Sequence, residues 1–240
     1  MKSEDFLETF GATARGRAAT AAQAVLRMRM KSVMRVLLCA TFLTLHSSLF
    51  ISCSETDDEL SSSDWHQLND AYFLTLEDSL SNGPEWKKIK HFTKNPDIPG
   101  KATDYVYVKV LESGSGTESP LYNDTIRCSY ELRLMPVEGY PNGAFVQKTF
   151  TGDFSWQTTG VFQFMLASSG TGGIAVEGFR TPFLHMHRGD RWRVYIPHQL
   201  AYGSNAQTSI PAYSTLVYDI ALIDFWHPGD IVPAWRVRQK

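Results

Sequence analysis

One stretch constrains the fold of this chain more than any other. It runs Arg193-Val194-Tyr195-Ile196-Pro197-His198-Gln199-Leu200-Ala201-Tyr202-Gly203, then Ile210-Pro211-Ala212, then Thr215-Leu216-Val217-Tyr218-Asp219-Ile220. Two runs rich in β-branched and aromatic residues flank a connection punctuated by Pro and Gly, which reads as strand, tight connection, strand. The same signature recurs upstream. Residues 105–111 form a strand candidate, and Gly114-Ser115-Gly116 ends it. Residues 125–134 put Ile126, Cys128, Tyr130, Leu132 and Leu134 on one face of a second. Residues 162–166 read as a third strand, and 191–196 and 215–225 as the last two, with a short helix over 177–187. Mostly antiparallel strands with one short helix predict an α+β fold.

Ahead of the strands, residues 64–80 carry a helical period. Trp65, Leu68, Tyr72, Leu76 and Leu80 recur at three- and four-residue steps. Asp64 is placed to cap this helix, and Ser81-Asn82-Gly83-Pro84 stops it. Residues 85–100 read as irregular, with Pro96 and Pro99 as breakers.

With 240 residues the chain can hold one sizeable domain and appendages. A net charge of −2 gives no basic footprint for nucleic acid. Aromatic residues make up 12%, enough to line an apolar pocket. Cys39, Cys53 and Cys128 fit neither a zinc spacing nor a CxxC redox pair, and Cys128 reads as a small buried hydrophobe. Gly114-Ser115-Gly116 lacks the surroundings of a phosphate-cradling loop. No Ser-centred elbow or paired-carboxylate signature stands out. His185 and His187 stand two apart on the short helix and face different sides, and the other histidines are scattered. No metal or cofactor is implied.

The N-terminal region reads as a targeting segment. Arg27, Arg29, Lys31 and Arg35 precede an apolar run over 36–45, and Ser52-Cys53 follows. A basic region, a short apolar run and a small residue before the cut describe a secretory signal. It resembles a bacterial lipoprotein signal, with Phe50 where Leu is usual, in which Cys53 is acylated and becomes the mature N-terminus. A spanning helix needs about 20 mostly apolar residues, and this run is shorter and is broken by His46-Ser47-Ser48. Residues 1–52 are thus assigned to upstream sequence and signal, with Met28, Met30 or Met34 as the expected start. Residues 53–63, acidic and Ser-rich, are a tether. An acidic run behind the lipid cysteine also resembles the surface-export signal of Bacteroidetes lipoproteins; a plain solvated tether is the alternative. The expected location is an outer membrane, lipid-anchored, on its periplasmic or cell-surface side.

Residues 104–228, between the helix-and-loop segment 64–103 and the tail 229–240, resemble the FKBP family of peptidyl-prolyl cis–trans isomerases. Tyr130 falls where the family has the Tyr of His-Tyr-Thr-Gly. Phe162-Gln163-Phe164-Met165-Leu166 looks like Pro-Phe-x-Phe-x-Leu, and Ala175-Val176-Glu177-Gly178-Phe179 like Val-Ile-x-Gly-Trp. Met186-His187-Arg188-Gly189-Asp190 is similar to the Met-x-x-Gly-Glu turn, so the Arg-Gly-Asp tripeptide reads as structural. Ile196-Pro197, Leu200-Ala201-Tyr202-Gly203, Ile210-Pro211 and Leu216-Val217-Tyr218-Asp219 complete the match in order.

The resemblance implies an antiparallel sheet curved around one short helix and an apolar pocket for a substrate proline. Its implied members are Tyr130, Phe162, Val176, Phe179, Tyr202, Ile210 and Tyr218. Tyr202 would bind a substrate carbonyl through its hydroxyl, the Val176 N–H a second one, and Phe179 would form the floor. Read without the resemblance, Phe162, Val176, Ile210 and Tyr218 are core residues, and Tyr202 a buried tyrosine. The family's Gly-x-x-Phe-Asp falls on Gly143-Ala144-Phe145-Val146-Gln147, so Gln147 replaces the aspartate near the reacting carbonyl. Glu131-Leu132 replaces Thr-Gly, and Pro182 enters the short helix. The expectation is a retained fold with weaker isomerase activity on proline-containing polypeptides. The alternatives are a module that binds proline segments without efficient turnover, or a lipoprotein scaffold assembling through helix 64–80.

Overall fold

The structure is a computed structural model and describes residues 61–157, 160–168 and 176–235. The lipidation candidate Cys53 and the targeting segment lie outside the described residues. Helix α1 (Ser62–Ser79) leads into a 3₁₀ turn over Leu80–Asn82. Strands β1 (Trp86–Lys90), β2 (Tyr105–Glu112), β3 (Thr125–Leu134), β4 (Phe145–Lys148) and β5 (Phe162–Met165) follow. Helix α2 (Glu177–Arg180), continued as a 3₁₀ turn over Thr181–His185, precedes β6 (Arg191–Ile196) and β7 (Leu216–Trp226). The strands form one antiparallel sheet in the order β1-β2-β6-β7-β3-β4, and β5 also pairs with β3. This is the expected α+β architecture.

The central strands are buried on both faces. Val106 and Val108 of β2, Val194 and Ile196 of β6, and Leu216 and Tyr218 of β7 join the main core, which also holds Phe179 and Phe183. Their alternating neighbours Tyr107, Tyr195 and Val217 join Phe73 and Leu76 of α1 in a second cluster on the opposite face. The period of two therefore runs apolar–apolar where α1 covers the sheet, as expected for a strand with no solvent face.

Helix α1 departs from its expected register. Its buried positions are Asn69, Phe73 and Leu76, while Leu68 is exposed. Asn69 is buried for a reason that hydropathy cannot show. Its side-chain amide donates to Trp65 O at 2.8 Å and its Oδ1 accepts the Thr215 N–H at 2.6 Å. Trp65 adds an indole N–H bond to Ser214 Oγ at 3.0 Å. The N-terminal cap is Ser61, whose hydroxyl accepts the Asp64 N–H at 3.1 Å, and not Asp64.

Residues 86–90, expected to be irregular, form edge strand β1 against β2, with Trp86 opposite Lys109 and Lys90 opposite Tyr105. Its three lysines suit an edge that must not recruit another strand. The short helix is α-helical only to Arg180, because Pro182 stands at the start of the turn that follows and cannot continue the α-helical bonding. Gly178 lets α2 approach β6: a Cβ there would stand 2.3 Å from Ile196 Cγ2. The Arg188-Gly189-Asp190 tripeptide is a structural turn. Gly189 takes φ 89°, and Asp190 Oδ1 accepts the Gly114 N–H at 2.7 Å.

Candidate active site

The site grows from an irregularity in sheet pairing. Along the same edge, β3 pairs first with β5, through Thr125 to Cys128, and then with β4, through Glu131 to Arg133. Tyr130 stands at the changeover. Its own N–H donates to Thr149 Oγ1 and its carbonyl accepts the Thr149 N–H, both at 3.0 Å. The backbone is thereby satisfied while the ring faces the core among aromatic neighbours.

Those neighbours arrive from three elements. The Tyr130 ring meets Phe162 of β5 at 5.9 Å, Phe179 of α2 at 5.5 Å and Tyr218 of β7 at 5.6 Å, all edge to face. Phe179 and Tyr218 are 4.7 Å apart. Edge-to-face contact is the favourable arrangement for ring quadrupoles and holds the cluster in one geometry. Phe179 and Tyr218 are 0% and 3% exposed and form its base. Tyr130, Phe162 and Tyr202 are only partly buried against the same core. They are the rings that a ligand could reach. Val176, which precedes α2, and Ile210, in the β6–β7 connection, are buried in this core as well. All seven aromatic and aliphatic candidates thus converge on one apolar region.

The hydroxyls within it stay protonated at neutral pH. Burial pushes the Tyr130 hydroxyl up to about 12, with Cys128 and Tyr202 adding to the effect. Burial also raises Tyr202, and raises Tyr218 far above the ordinary tyrosine value, helped by Tyr202 and Tyr130. Each of these hydroxyls therefore keeps its proton as a hydrogen-bond donor. The eighth candidate, Gln147, reaches it from β4, where its side-chain amide donates to the Tyr130 hydroxyl at 3.1 Å.

Along β4 exposure alternates, with Phe145 and Gln147 outward and Val146 between them inward, beside a register shift between Leu132 and Arg133. Val146 packs against the core and Phe145 is 53% exposed. The inward position in this strand is therefore aliphatic, and the amide of Gln147 is the polar group beside the Tyr130 hydroxyl.

The structure also corrects the view of the histidines as scattered. His66 and Asp70, one turn apart on α1, meet His198 across the sheet-to-helix boundary. The i, i+4 spacing of His66 and Asp70 was visible in the sequence; the approach of His198 was not.

Residues 116–223 match the family model described as FKBP-type peptidyl-prolyl cis-trans isomerase. Among curated proteins, the chain is 27% identical over 147 residues to the FKBP-type isomerase FkpA of Escherichia coli, covering 61% of this chain and 46% of that one. It is 31% identical over 140 residues to the isomerase Mip of Coxiella burnetii, covering 57% and 53%. Human FKBP9 is 26% identical over 147 residues, covering 57% of this chain and 24% of that one. The chain thus matches about half of FkpA and of Mip, and a quarter of FKBP9. A solved isomerase from Pseudomonas syringae aligns over 67% of this chain and 96% of that one, with 21% identity and a TM-score of 0.46. The region that carries the aromatic cluster is thus similar to FKBP-type peptidyl-prolyl isomerases over residues 116–223.

Proposed function

We propose that this protein is a peptidyl-prolyl cis–trans isomerase acting on X-Pro bonds of exported polypeptides. The observation that carries the reading is the ring cluster of Tyr130, Phe162, Phe179 and Tyr218, bordered by Tyr202, in a region similar to this family. Rotation about an amide faces a barrier of roughly 18–20 kcal/mol from lost resonance. A twisted amide has a less polar C–N bond than a planar one, so a dry aromatic surface favours the twisted form. The substrate proline would sit on Tyr130 and Phe162 above Phe179. A substrate carbonyl would take the Tyr202 hydroxyl, and a second one the Val176 N–H. No nucleophile is required.

Gln147 supports a second reading, of a module that binds proline segments with little turnover. Its amide, donating to Tyr130, carries no negative charge to set against the reacting carbonyl. Turnover below that of members with a carboxylate there is expected. The Cys53 lipid anchor, an outer-membrane location and client proteins in the periplasm or at the cell surface complete the proposal. They are supported by the basic-then-apolar segment ending in Ser52-Cys53.

The chain from Ser54 onward, assayed by exchange NMR on an X-Pro peptide, should accelerate isomerisation, and Tyr202→Phe and Phe179→Ala should both reduce the effect. A folded protein with no acceleration would favour the binding module. Mass spectrometry of membranes from cells expressing the parent and Cys53→Ser should find acyl groups on the parent alone.

A further inference from the structure

Helix α1 crosses the β6–β7 connection at a point where three ligand-type side chains meet. His66 and Asp70 come from α1, and His198 opens the connection. His66 Nε2 lies 3.3 Å from Asp70 Oδ2, and His198 Nε2 lies 3.2 Å from Asp70 Oδ1. One ligand atom from each residue falls within a group no wider than 4.8 Å. Nitrogen and oxygen ligands about 2.0–2.2 Å from a tetrahedral ion stand about 3.3–3.5 Å from each other. A charge-assisted hydrogen bond closes to about 2.7–2.9 Å. The two imidazoles face different oxygens of one carboxylate, and neither contact has closed to that distance.

The surroundings agree. The His66 ring stacks on Tyr213 at 3.8 Å and meets His198 edge-on at 5.1 Å, which fixes both imidazoles. Tyr213 does this from φ 60°, a backbone state uncommon for a bulky side chain. One contact competes: the Gln199 amide nitrogen lies 2.8 Å from His198 Nε2. That side chain is exposed and free to swing aside. An open cleft lined by Asp70, His198 and Gln199 gives an ion its way in.

We propose that His66, Asp70 and His198 bind one divalent transition-metal ion of the zinc type, with water completing its shell. Two imidazoles and a carboxylate are a donor set that suits zinc, cobalt or nickel and does not suit calcium or magnesium. The bound ion fastens α1 to the connection that carries Tyr202 and Ile210, and so steadies one border of the aromatic cluster. The site is independent of the isomerase reading and stands or falls without it.

The test is titration of the purified, metal-free full chain with Co²⁺. One equivalent should produce the visible d–d bands of a tetrahedral nitrogen–oxygen site. The thiolate charge-transfer band that would report Cys39 or Cys53 should be missing, and Zn²⁺ should displace the signal. His66→Gln, Asp70→Asn and His198→Gln should each weaken binding at least about tenfold, the loss that even an outer partner of a metal ligand causes. Zn²⁺ should raise the Tm of the parent and leave that of His66→Gln unmoved. His66 is partly exposed, so this variant keeps its fold even where His198→Gln does not. Bands that persist unchanged in His66→Gln and Asp70→Asn, a thiolate band, or no Co²⁺ signal from a folded chain would each overturn the proposal.

Discussion

Under α1, Tyr107 and Tyr195 fill the space between helix and sheet; on the opposite face, Tyr130 and Tyr218 fill the space beneath α2. The residue types match, but their polar ends are treated differently. The Tyr107 hydroxyl is held by Glu77, which Lys88 also grips at 2.7 Å. Tyr195 lies under the Trp86 ring at 5.7 Å, beside Arg193 with its two bonds to Asp219 at 2.6 and 2.9 Å. That face is closed by protein–protein partners. On the other face the rings of Tyr130 and Tyr218 meet edge to face at 5.6 Å, and a side-chain amide supplies the polar contact at Tyr130. The contrast separates a tyrosine that holds an element in place from one whose donor group remains for a ligand.

Truncation at the base of each cluster should break this comparison most visibly. Phe179→Ala and Phe73→Ala each remove a buried ring and should cost about 3–5 kcal/mol in urea unfolding. Only Phe179→Ala should also abolish turnover measured under conditions where the variant is folded. Equal loss of activity in both would mean that α1 is part of the site. Next in size, Gln147→Asp should raise kcat/KM about tenfold, which is about 1.4 kcal/mol. It places a carboxylate beside Tyr130. Tyr202→Phe should lower it by about the same factor, with stability nearly unchanged. Tyr107→Phe should do the reverse. It forfeits about 1 kcal/mol in unfolding, since its partner Glu77 is half-exposed, and leaves turnover as it was.

The smallest effect concerns pH. Burial lowers the proton affinity of His91, His185 and His198 in the folded chain, while the Asp124 hydrogen bond raises that of His227. For the first three, the unfolded chain takes up protons first. Their contribution is present above the unfolded value, roughly 6.5, and is lost as pH falls towards the folded values. His227 acts in the opposite direction, stabilising at low pH and losing its effect as pH rises. Three groups against one predict a lower urea midpoint at pH 5.5 than at pH 7.5. An equal or higher midpoint at pH 5.5 would mean that these imidazoles carry protons in the folded state.

Much of the fold was legible from local signals. Strand β3 spans the expected residues 125–134, because ten alternating residues leave little freedom of interpretation. Helix α1 stops where Gly83 and Pro84 forbid its continuation. Strand β1 was missed because Trp86-Lys87-Lys88-Ile89-Lys90 shows no clean alternation, and becomes a strand by pairing with β2. Strand β4 was missed as an element because four residues with a register shift carry too little period to read. The eight pocket candidates were named only through an ordered family resemblance. By composition, Phe162, Val176, Ile210 and Tyr218 could have been ordinary core residues.

The sequence by itself determined which segments alternate, where helices must end and which residues could line an apolar site. Those properties rest on backbone sterics and hydrophobic period, which act within a few residues of the chain. The tertiary structure alone decided that α1 buries Asn69 and exposes Leu68, because Thr215, far along the chain, supplies the matching N–H. It alone decided that Val146, and not Phe145, meets the core. It alone carried His198 to His66 and Asp70, because the partners in each of these contacts lie on different elements, and only packing brings those elements within bonding distance.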